Sequence, residues 1–300
     1  MKSRFLKSGF LLFALFAFIA CDVNNPSEFE KEYIVESYLF AGERLPEVRL
    51  SQTVPFGTAY FFEEQAVRNA AVIINRLDES GNIAQSYAYR EVNRGIYRTV
   101  STDIVLPLNI YTLEVTVPDE NNTVLRASTL VPDSFSVVAT NADTVTFRAT
   151  EQLEVDVTQS FFPGRQSVFI FATEAFDISF ENLTPFYKDI FDEDEDDLED
   201  FRINESPLIN EENYDLNPDG TLTIKLPWIA VAFFGDNEIT AFAVDDNLFN
   251  FISSQNLQVM PSTLSPGEIP AIIDPIEGGT GIFGAYARVK TSVFIKIPGD

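Results

Sequence analysis

Strict alternation of apolar and polar residues is the feature that most restricts the fold of this 300-residue chain. It is clearest in 110–117 (IYTLEVTV), where every second side chain from Tyr111 to Val117 is apolar and those between are polar. A period of two residues places the apolar side chains on one face of a β-strand. Similar short segments, separated by turn-forming clusters, lie at 33–40, 47–52, 71–77, 83–90 and 123–131. This density of strands predicts an immunoglobulin-like β-sandwich over residues 32–132.

Residues 133–300 are predicted to form a second β-rich domain with one short helix. Strand-like segments lie at 134–139, 143–149, 151–158, 167–172, 221–226, 228–234 and 238–243 and near the end of the chain. An acidic insertion near 189–200 interrupts them. Asp245 or Asp246 is placed to cap a helix whose apolar face would consist of Leu248, Phe249 and Ile252. The predicted fold class is therefore all-β.

Residues 1–20 carry three basic residues and then an apolar run from Phe10 to Ala20. This arrangement is typical of a secretory signal peptide, and the run is shorter than the roughly 20 apolar residues of a transmembrane helix. Cys21, the only cysteine, follows a small residue directly, as in bacterial lipoproteins, where the thiol is acylated. We predict a lipid anchor at Cys21 that holds the protein on a membrane, and a flexible tether over 21–31. Secretion without a lipid is the alternative.

The composition restricts the chemistry that the protein can perform. Histidine is absent, which excludes Ser-His-Asp and Cys-His catalysis and every metal site that contains histidine. The formal net charge of −26 repels nucleic acid, so we expect no nucleic-acid partner. We predict a protein that is not an enzyme and needs no cofactor. A glycan hydrolase that uses two carboxylates stays open, because the many acidic residues offer no means of choosing a pair.

The acidic run 191–200 (FDEDEDDLED) is the candidate metal site. Asp192, Asp194 and Asp196 alternate as the ligands of a calcium loop do. An EF-hand also needs glycine at its sixth position and glutamate at its twelfth, where this chain has Asp197 and Ile203. The pattern therefore favours a solvated acidic loop that holds Ca²⁺ only loosely.

An aromatic loop at 56–64 holds Phe56, Tyr60, Phe61 and Phe62. Exposed aromatic side chains of this kind are typical of contact sites for a partner. The alternative, which we favour from the sequence, is that the loop packs against the edge of the sandwich or against the second domain.

Thr144 lies in the short sequence Asp143-Thr144-Val145. An acidic residue, a hydroxyl residue and an aliphatic residue in this order are linked to O-glycosylation in the envelopes of Bacteroidota. Thr144 is therefore a candidate modification site.

Several longer stretches together resemble one known family. They are VESYLFAGERLPEVRLSQTVPF, VRNAAVIIN, IYTLEVTV, STLVP, ITAFAVDDNLFNFI and EGGTGIFGAYARV. They are similar to the domain-of-unknown-function 4249 family of Bacteroidota outer-membrane lipoproteins. The resemblance implies a lipid-anchored outer-membrane protein, a binding or accessory module that works with a TonB-dependent transporter. It supplies no catalytic residues, and an adhesin or structural spacer is a further alternative.

Overall fold

The computed structural model describes residues 29–150, 152–259 and 274–299. The first part of the chain forms seven strands and one short helix, α1 (Phe62–Gln65). The strands are β1 (Tyr33–Phe40), β2 (Val48–Gln52), β3 (Ala71–Leu77), β4 (Ile83–Asn93), β5 (Ile96–Thr99), β6 (Ile110–Thr116) and β7 (Val124–Leu130). They pair in the order β1-β2-β5-β4-β3-β6-β7. The structure confirms the strand predicted from the alternation at 110–117, because Tyr111, Leu113 and Val115 are buried while Glu114 is exposed.

In the described residues from 133 onward, the second part holds ten strands and two α-helices. The strands are β8 (Val137–Thr140), β9 (Thr144–Thr146), β10 (Glu154–Thr158), β11 (Val168–Ala175), β12 (Ile203–Glu205), β13 (Ile209–Asn210), β14 (Asp215–Leu216), β15 (Thr221–Lys225), β16 (Gly235–Val244) and β17 (Thr280–Lys296). The helices are α2 (Pro185–Ile190) and α3 (Asp246–Val259). Strands β14-β15-β10-β8 form a small sheet that shares one core with β11, β16 and β17 of the large sheet. We call this pair of layers the second sandwich, and the predicted all-β class is confirmed.

Strand β17 belongs to both parts of the fold. Its first residues, Thr280 to Tyr286, pair with β1 in parallel, and Tyr286 to Ile295 pair with β16 in an antiparallel manner. Phe283 therefore lies in the core enclosed by β1–β7, while Val293 lies in the core of the second sandwich. The sequence-predicted boundary at residue 132 falls between the two cores, but the end of the chain returns to the first one.

Two glycines allow β17 to lie in this crowded position. At Gly281, where φ is +119°, an added Cβ would stand 2.1 Å from the carbonyl oxygen of Val35. At Gly284 it would stand 2.5 Å from Cγ of Leu248, on α3. Contacts this short are repulsive for any side chain, so only glycine lets β1 and the helix approach this strand.

Helix α3 confirms the helix expected from the sequence, and Asp245 is its cap. A carboxylate oxygen of Asp245 accepts a hydrogen bond of 2.9 Å from the backbone N–H of Leu248. The other oxygen accepts a bond from the hydroxyl of Thr129, on β7. The side-chain amide of Asn247 donates to the carbonyls of Ser128 and Phe283, at 2.8 Å each. The beginning of the helix therefore connects β7 to β17 and closes the first core.

The buried carboxyl of Asp245 predicts a dependence of stability on pH. Burial raises its pKa from 3.8 to about 6, against the opposing effect of its hydrogen bonds. Between about pH 4 and pH 6 the unfolded chain has lost the proton that the folded protein keeps, so the free energy of unfolding falls as the pH rises. The expected contribution of this carboxyl is on the order of 3 kcal/mol.

Urea denaturation of the wild type and of Asp245→Asn, at several pH values, measures this effect. The variant keeps an oxygen that accepts hydrogen bonds but cannot titrate. Its stability relative to the wild type should therefore increase from about pH 4 to pH 6 and stay constant above about pH 7. A difference that does not change over this range would contradict the prediction.

Candidate functional site

The second sandwich contains a cavity of about 580 Å³ between its two sheets. Its walls are apolar: Val155, Val157 and Ile224 come from the small sheet, and Phe171, Ile239, Ala241 and Val289 come from the large one. Well-packed interiors have few voids larger than a water molecule. A void of this size lies within the range of pockets that bind small molecules, about 300–1,000 Å³.

Small side chains in the large sheet help to leave this space open. Ala241, at the centre of β16, pairs with Phe171 on one side and Val289 on the other. Thr173, on β11, is another small side chain in the lining. A larger apolar residue at position 241 would fill part of the cavity. The volume of the cavity therefore depends on the small side chain at this position.

The rim of the cavity is apolar and partly exposed. Phe186, on α2, is 40% exposed, and Ile229, in a short 3-10 turn, is 58% exposed. The hydroxyl of Tyr187 donates a hydrogen bond of 2.8 Å to the carbonyl of Ile229, and the amide of Asn204 donates to the same carbonyl at 2.9 Å. These two bonds connect the turn to α2 and β12, and they hold the rim in place.

The two charged residues of the described lining, Lys225 and Glu205, are both exposed to solvent. The ammonium group of Lys225 lies 3.6 Å from a carboxylate oxygen of Glu154 and 3.7 Å from one of Asp215. Glu205 is the one acidic residue in the lining that the described residues provide, and it is exposed. An apolar molecule could therefore enter without removing a charge from water.

Tyr214 is one of the lining residues. Its ring packs edge-on against Phe171, with 5.6 Å between the ring centres. Its hydroxyl is buried and has no hydrogen-bond partner among the described residues. Burial raises the pKa of the phenol far above its usual value, so the group stays protonated. A buried hydroxyl without a partner costs free energy.

Comparison with known proteins identifies the family. The sequence model of a domain of unknown function, DUF4249, matches residues 21–292. The chain belongs to the DUF4249 family. No protein of curated function matches it.

Solved structures to which this DUF4249 chain is similar include the following three. Trypsin-activated α2-macroglobulin from Escherichia coli is 9% identical, with a TM-score of 0.22, over 89% of this chain and 16% of that one. A tetra-tandem repeat from the extending region of a large adhesion protein is 13% identical, with a TM-score of 0.23, over 88% and 48%. Three domains of the bacteriophage RB49 outer capsid protein Hoc are 11% identical, with a TM-score of 0.22, over 89% and 71%. The DUF4249 chain thus spans about a sixth of the α2-macroglobulin chain.

The predicted calcium ligands lie together in an exposed turn of the DUF4249 chain, but they do not form a cage. The carboxylate of Asp196 accepts a hydrogen bond of 2.9 Å from the backbone N–H of Asp192, whose own carboxylate accepts one of 3.0 Å from the N–H of Asp194. Among the described residues, no group of three or more acidic or cysteine side chains could hold a metal ion. The structure gives a specific calcium site at 192–196 no support, and loosely held Ca²⁺ stays a prediction.

The aromatic loop follows in part the arrangement that the sequence favoured. Phe62 packs against β2 of the first sheet, with the guanidinium carbon of Arg49 4.4 Å from the centre of its ring. The hydroxyl of Tyr60 bonds to Ser51 on the same strand. Phe56 and Phe61 differ from that expectation, because both are exposed to solvent, and Tyr60 is 46% exposed.

The remaining candidates are placed as follows. Thr144 is exposed on β9, where the side chain is accessible for modification, and its glycosylation stays a prediction. Cys21 lies outside the described residues. Within the described part of the chain, no helix combines the length and the apolar character that a bilayer crossing needs.

Sequence reasoning did not find the cavity. Its lining comes from segments between Val137 and Thr291, and Tyr214 lies in a stretch without alternation. The small Ala241 is the local signal, but β16 also holds Ala243 and Thr240, so this residue by itself indicates no cavity.

Replacing Tyr214 by phenylalanine tests whether its hydroxyl has no partner. Tyr214→Phe should leave the free energy of unfolding unchanged or raise it by up to about 1 kcal/mol, because the buried hydroxyl is removed and no bond is lost. Tyr97→Phe is the matched control. Its hydroxyl donates to the carbonyl of Val67 at 2.9 Å and accepts from the N–H of Ala70 at 3.0 Å, so the change should cost about 1–3 kcal/mol.

Both variants can be compared by urea denaturation without added ligand. Equal losses of stability in the two variants would show that the Tyr214 hydroxyl has a partner in the folded protein.

Proposed function

We propose that this protein is a lipid-anchored binding module of the cell envelope, which holds a small apolar molecule in the cavity of the second sandwich. The observation that carries the proposal is the cavity of about 580 Å³ between the two sheets, whose walls are mostly apolar. An apolar pocket with a few placed polar groups is the usual form of a small-molecule site.

The walls define the chemistry of the ligand. Its body would be aliphatic or aromatic, since contact with Val157, Ile239 and Phe171 stabilises apolar surface by about 25 cal/mol per Å². A strongly charged ligand is disfavoured, because the walls are mostly apolar and the two charged residues of the described lining, Lys225 and Glu205, are exposed to solvent.

The two alternatives from the sequence have less support. Glycan hydrolysis needs two carboxylates roughly 5–10 Å apart, and the described lining of this cavity offers Glu205 alone. An adhesin or spacer would not need a concave site, and the cavity is what argues for a binding role in its place.

Filling part of the cavity should weaken binding. N-phenyl-1-naphthylamine, a neutral apolar dye that fluoresces in apolar surroundings, serves as the probe. The wild type should bind it saturably at one site, and Ala241→Ile should weaken binding by roughly tenfold or more, about 1.4 kcal/mol, because the added carbons occupy the space of the dye. Ala88→Leu, on the exposed face of β4, is the control and should bind as the wild type does.

Thermal unfolding establishes that both variants are folded. Binding of the dye that is not saturable, or that is equal in the wild type and in Ala241→Ile, would contradict the cavity as a binding site.

The lipid anchor and the transporter come from the sequence and its family resemblance, and they form the second half of the proposal. Protein extracted in mild detergent from its own membranes should carry acyl chains on Cys21 by mass spectrometry, and a TonB-dependent transporter should accompany it in near-equal amount. Cys21→Ser is the control and should appear in the soluble fraction. Acylated protein that comes without a transporter would contradict the accessory role, and unmodified Cys21 would contradict the anchor.

A further inference from the structure

The exposed aromatic loop lies at the end of the first sheet where the predicted tether enters. The backbone N–H of Glu32 donates a hydrogen bond of 3.0 Å to the hydroxyl of Thr53, and the N–H of Thr53 donates one of 2.9 Å to the carbonyl of Glu32. Tyr33, the first residue of β1, pairs with Gln52, the last of β2. The chain that leaves β2 at this point is the aromatic loop, so the tether and the loop begin side by side.

Three aromatic side chains of this loop face solvent, and we call them the aromatic tip: Phe56, Tyr60 and Phe61. Phe56 is as exposed as in an extended peptide (107%), and Phe61 is 58% exposed. Exposed apolar groups that lie together usually mark a contact surface.

The loop is held in shape while its tip stays exposed. The N–H of Thr58 donates a hydrogen bond of 3.0 Å to the carbonyl of Pro55, which forms a turn beside Phe56. The hydroxyl of Tyr60 donates one of 2.8 Å to the hydroxyl oxygen of Ser51, on β2. The ring of Phe62 packs beneath Arg49 and connects the other end of the loop to the same strand. The exposure of Phe56 and Phe61 is therefore a property of an ordered loop.

The length of the tether limits the distance between this end of the sheet and a membrane. Even fully extended, the chain from Cys21 to Phe29 spans at most roughly 29 Å. If Cys21 carries the lipid, the aromatic tip is the exposed apolar surface next to the attached end. Tyrosine is enriched where proteins meet the head-group region of a bilayer, and phenylalanine is among the apolar side chains that bury at the boundary of head groups and acyl chains.

We propose that the aromatic tip inserts into the head-group region of the membrane that carries the anchor. This inference rests on the anchor of the proposed function and is independent of the ligand in the cavity. One acyl anchor leaves the orientation of a protein free, whereas an anchor and an inserted loop at the same end fix it.

Charge selects the kind of lipid surface. Glu63 and Glu64 follow the tip directly, and Glu30 and Glu32 lie at the end of the tether. Two cations lie among these four carboxylates: Lys31, between Glu30 and Glu32, and Arg49, which is already engaged with Phe62. The cluster therefore keeps an excess of negative charge. Anionic head groups would repel this cluster of carboxylates, so the partner surface is zwitterionic lipid.

Insertion of the aromatic tip would also fix the position of the cavity relative to the bilayer. Strand β17 runs away from the attached end, because Thr280 pairs with Ile34 near the beginning of β1 and Tyr286 pairs with Phe40 at its end. Thr291, further along β17, lines the cavity. The stretch from Thr280 to Thr291 covers at most roughly 36 Å at about 3.3 Å per residue. The second sandwich and its cavity would then face away from the bilayer, with the rim open to solvent or to a partner.

The single cysteine provides a direct test. The mature chain is coupled through the thiol of Cys21 to a maleimide lipid in phosphatidylcholine vesicles whose acyl chains carry bromine, which quenches tryptophan at short range. Three proteins are compared: the wild type, whose one tryptophan is Trp228 in the second sandwich, Phe56→Trp, and the matched control Val100→Trp. Val100 is also strongly exposed (84%), but it follows β5 at the opposite end of the first sheet.

We expect the emission of Phe56→Trp to shift to shorter wavelength and to be quenched several-fold more strongly than that of Val100→Trp or the wild type. Replacing part of the phosphatidylcholine by phosphatidylglycerol should reduce that quenching. Phe61→Trp should be quenched as Phe56→Trp is. Agreement between the two variants would show that the quenching does not arise from one substitution alone.

Equal quenching at positions 56 and 100, or none at 56 and 61, would overturn the proposal and leave a protein as the occupant of the tip. Because the coupling is chemical, this result does not depend on acylation in the cell. Failure of the proposed anchor would appear separately, as unmodified Cys21 in protein recovered from its own membranes.

Discussion

Strand β17 pairs with β1 through its first residues and with β16 through the rest, and both cores depend on this one strand. Phe283 completes the first core and Ile295 the second, so neither is complete until the end of the chain has returned. Such a contact joins residues that are far apart in sequence, and the loop-closure entropy it costs is offset only when both cores form. Gly281 and Gly284 make this double pairing possible, because a side chain at either position would prevent the close approach of β1 or α3 to β17.

The beginning of α3 is the second point at which the parts meet. Asp245 caps the helix and also accepts the hydrogen bond of Thr129, so one buried carboxyl serves local and tertiary structure at once. The side chain of Asn247 satisfies two strand carbonyls that would otherwise lack a donor at this junction. Polar groups are tolerated in this buried place because nearly every one of them has a partner.

The second sandwich carries the functional argument. A cavity lies between its sheets beside a packed core. A void of this kind reduces stability, and an apolar ligand that filled it would restore the missing contacts. The unpaired hydroxyl of Tyr214 does not distinguish this sandwich, because the buried hydroxyl of Tyr89 in the first part also has no hydrogen-bond partner among the described residues.

The sequence by itself determined most of the strands and the longer helix. The strand predicted at 228–234 is wrong, because a 3-10 turn forms at Trp228–Ala230. The segments 33–40 and 71–77 have the same bounds in the structure, and α3 begins beside the predicted cap, because alternation, helical spacing and capping act between near neighbours. Only the tertiary structure decided the partner of β17, the exposure of Phe56 and the cavity around Ala241. Each of these depends on how distant segments pack, and the same apolar side chain is consistent with a core, a cavity wall or an exposed tip until its neighbours are known.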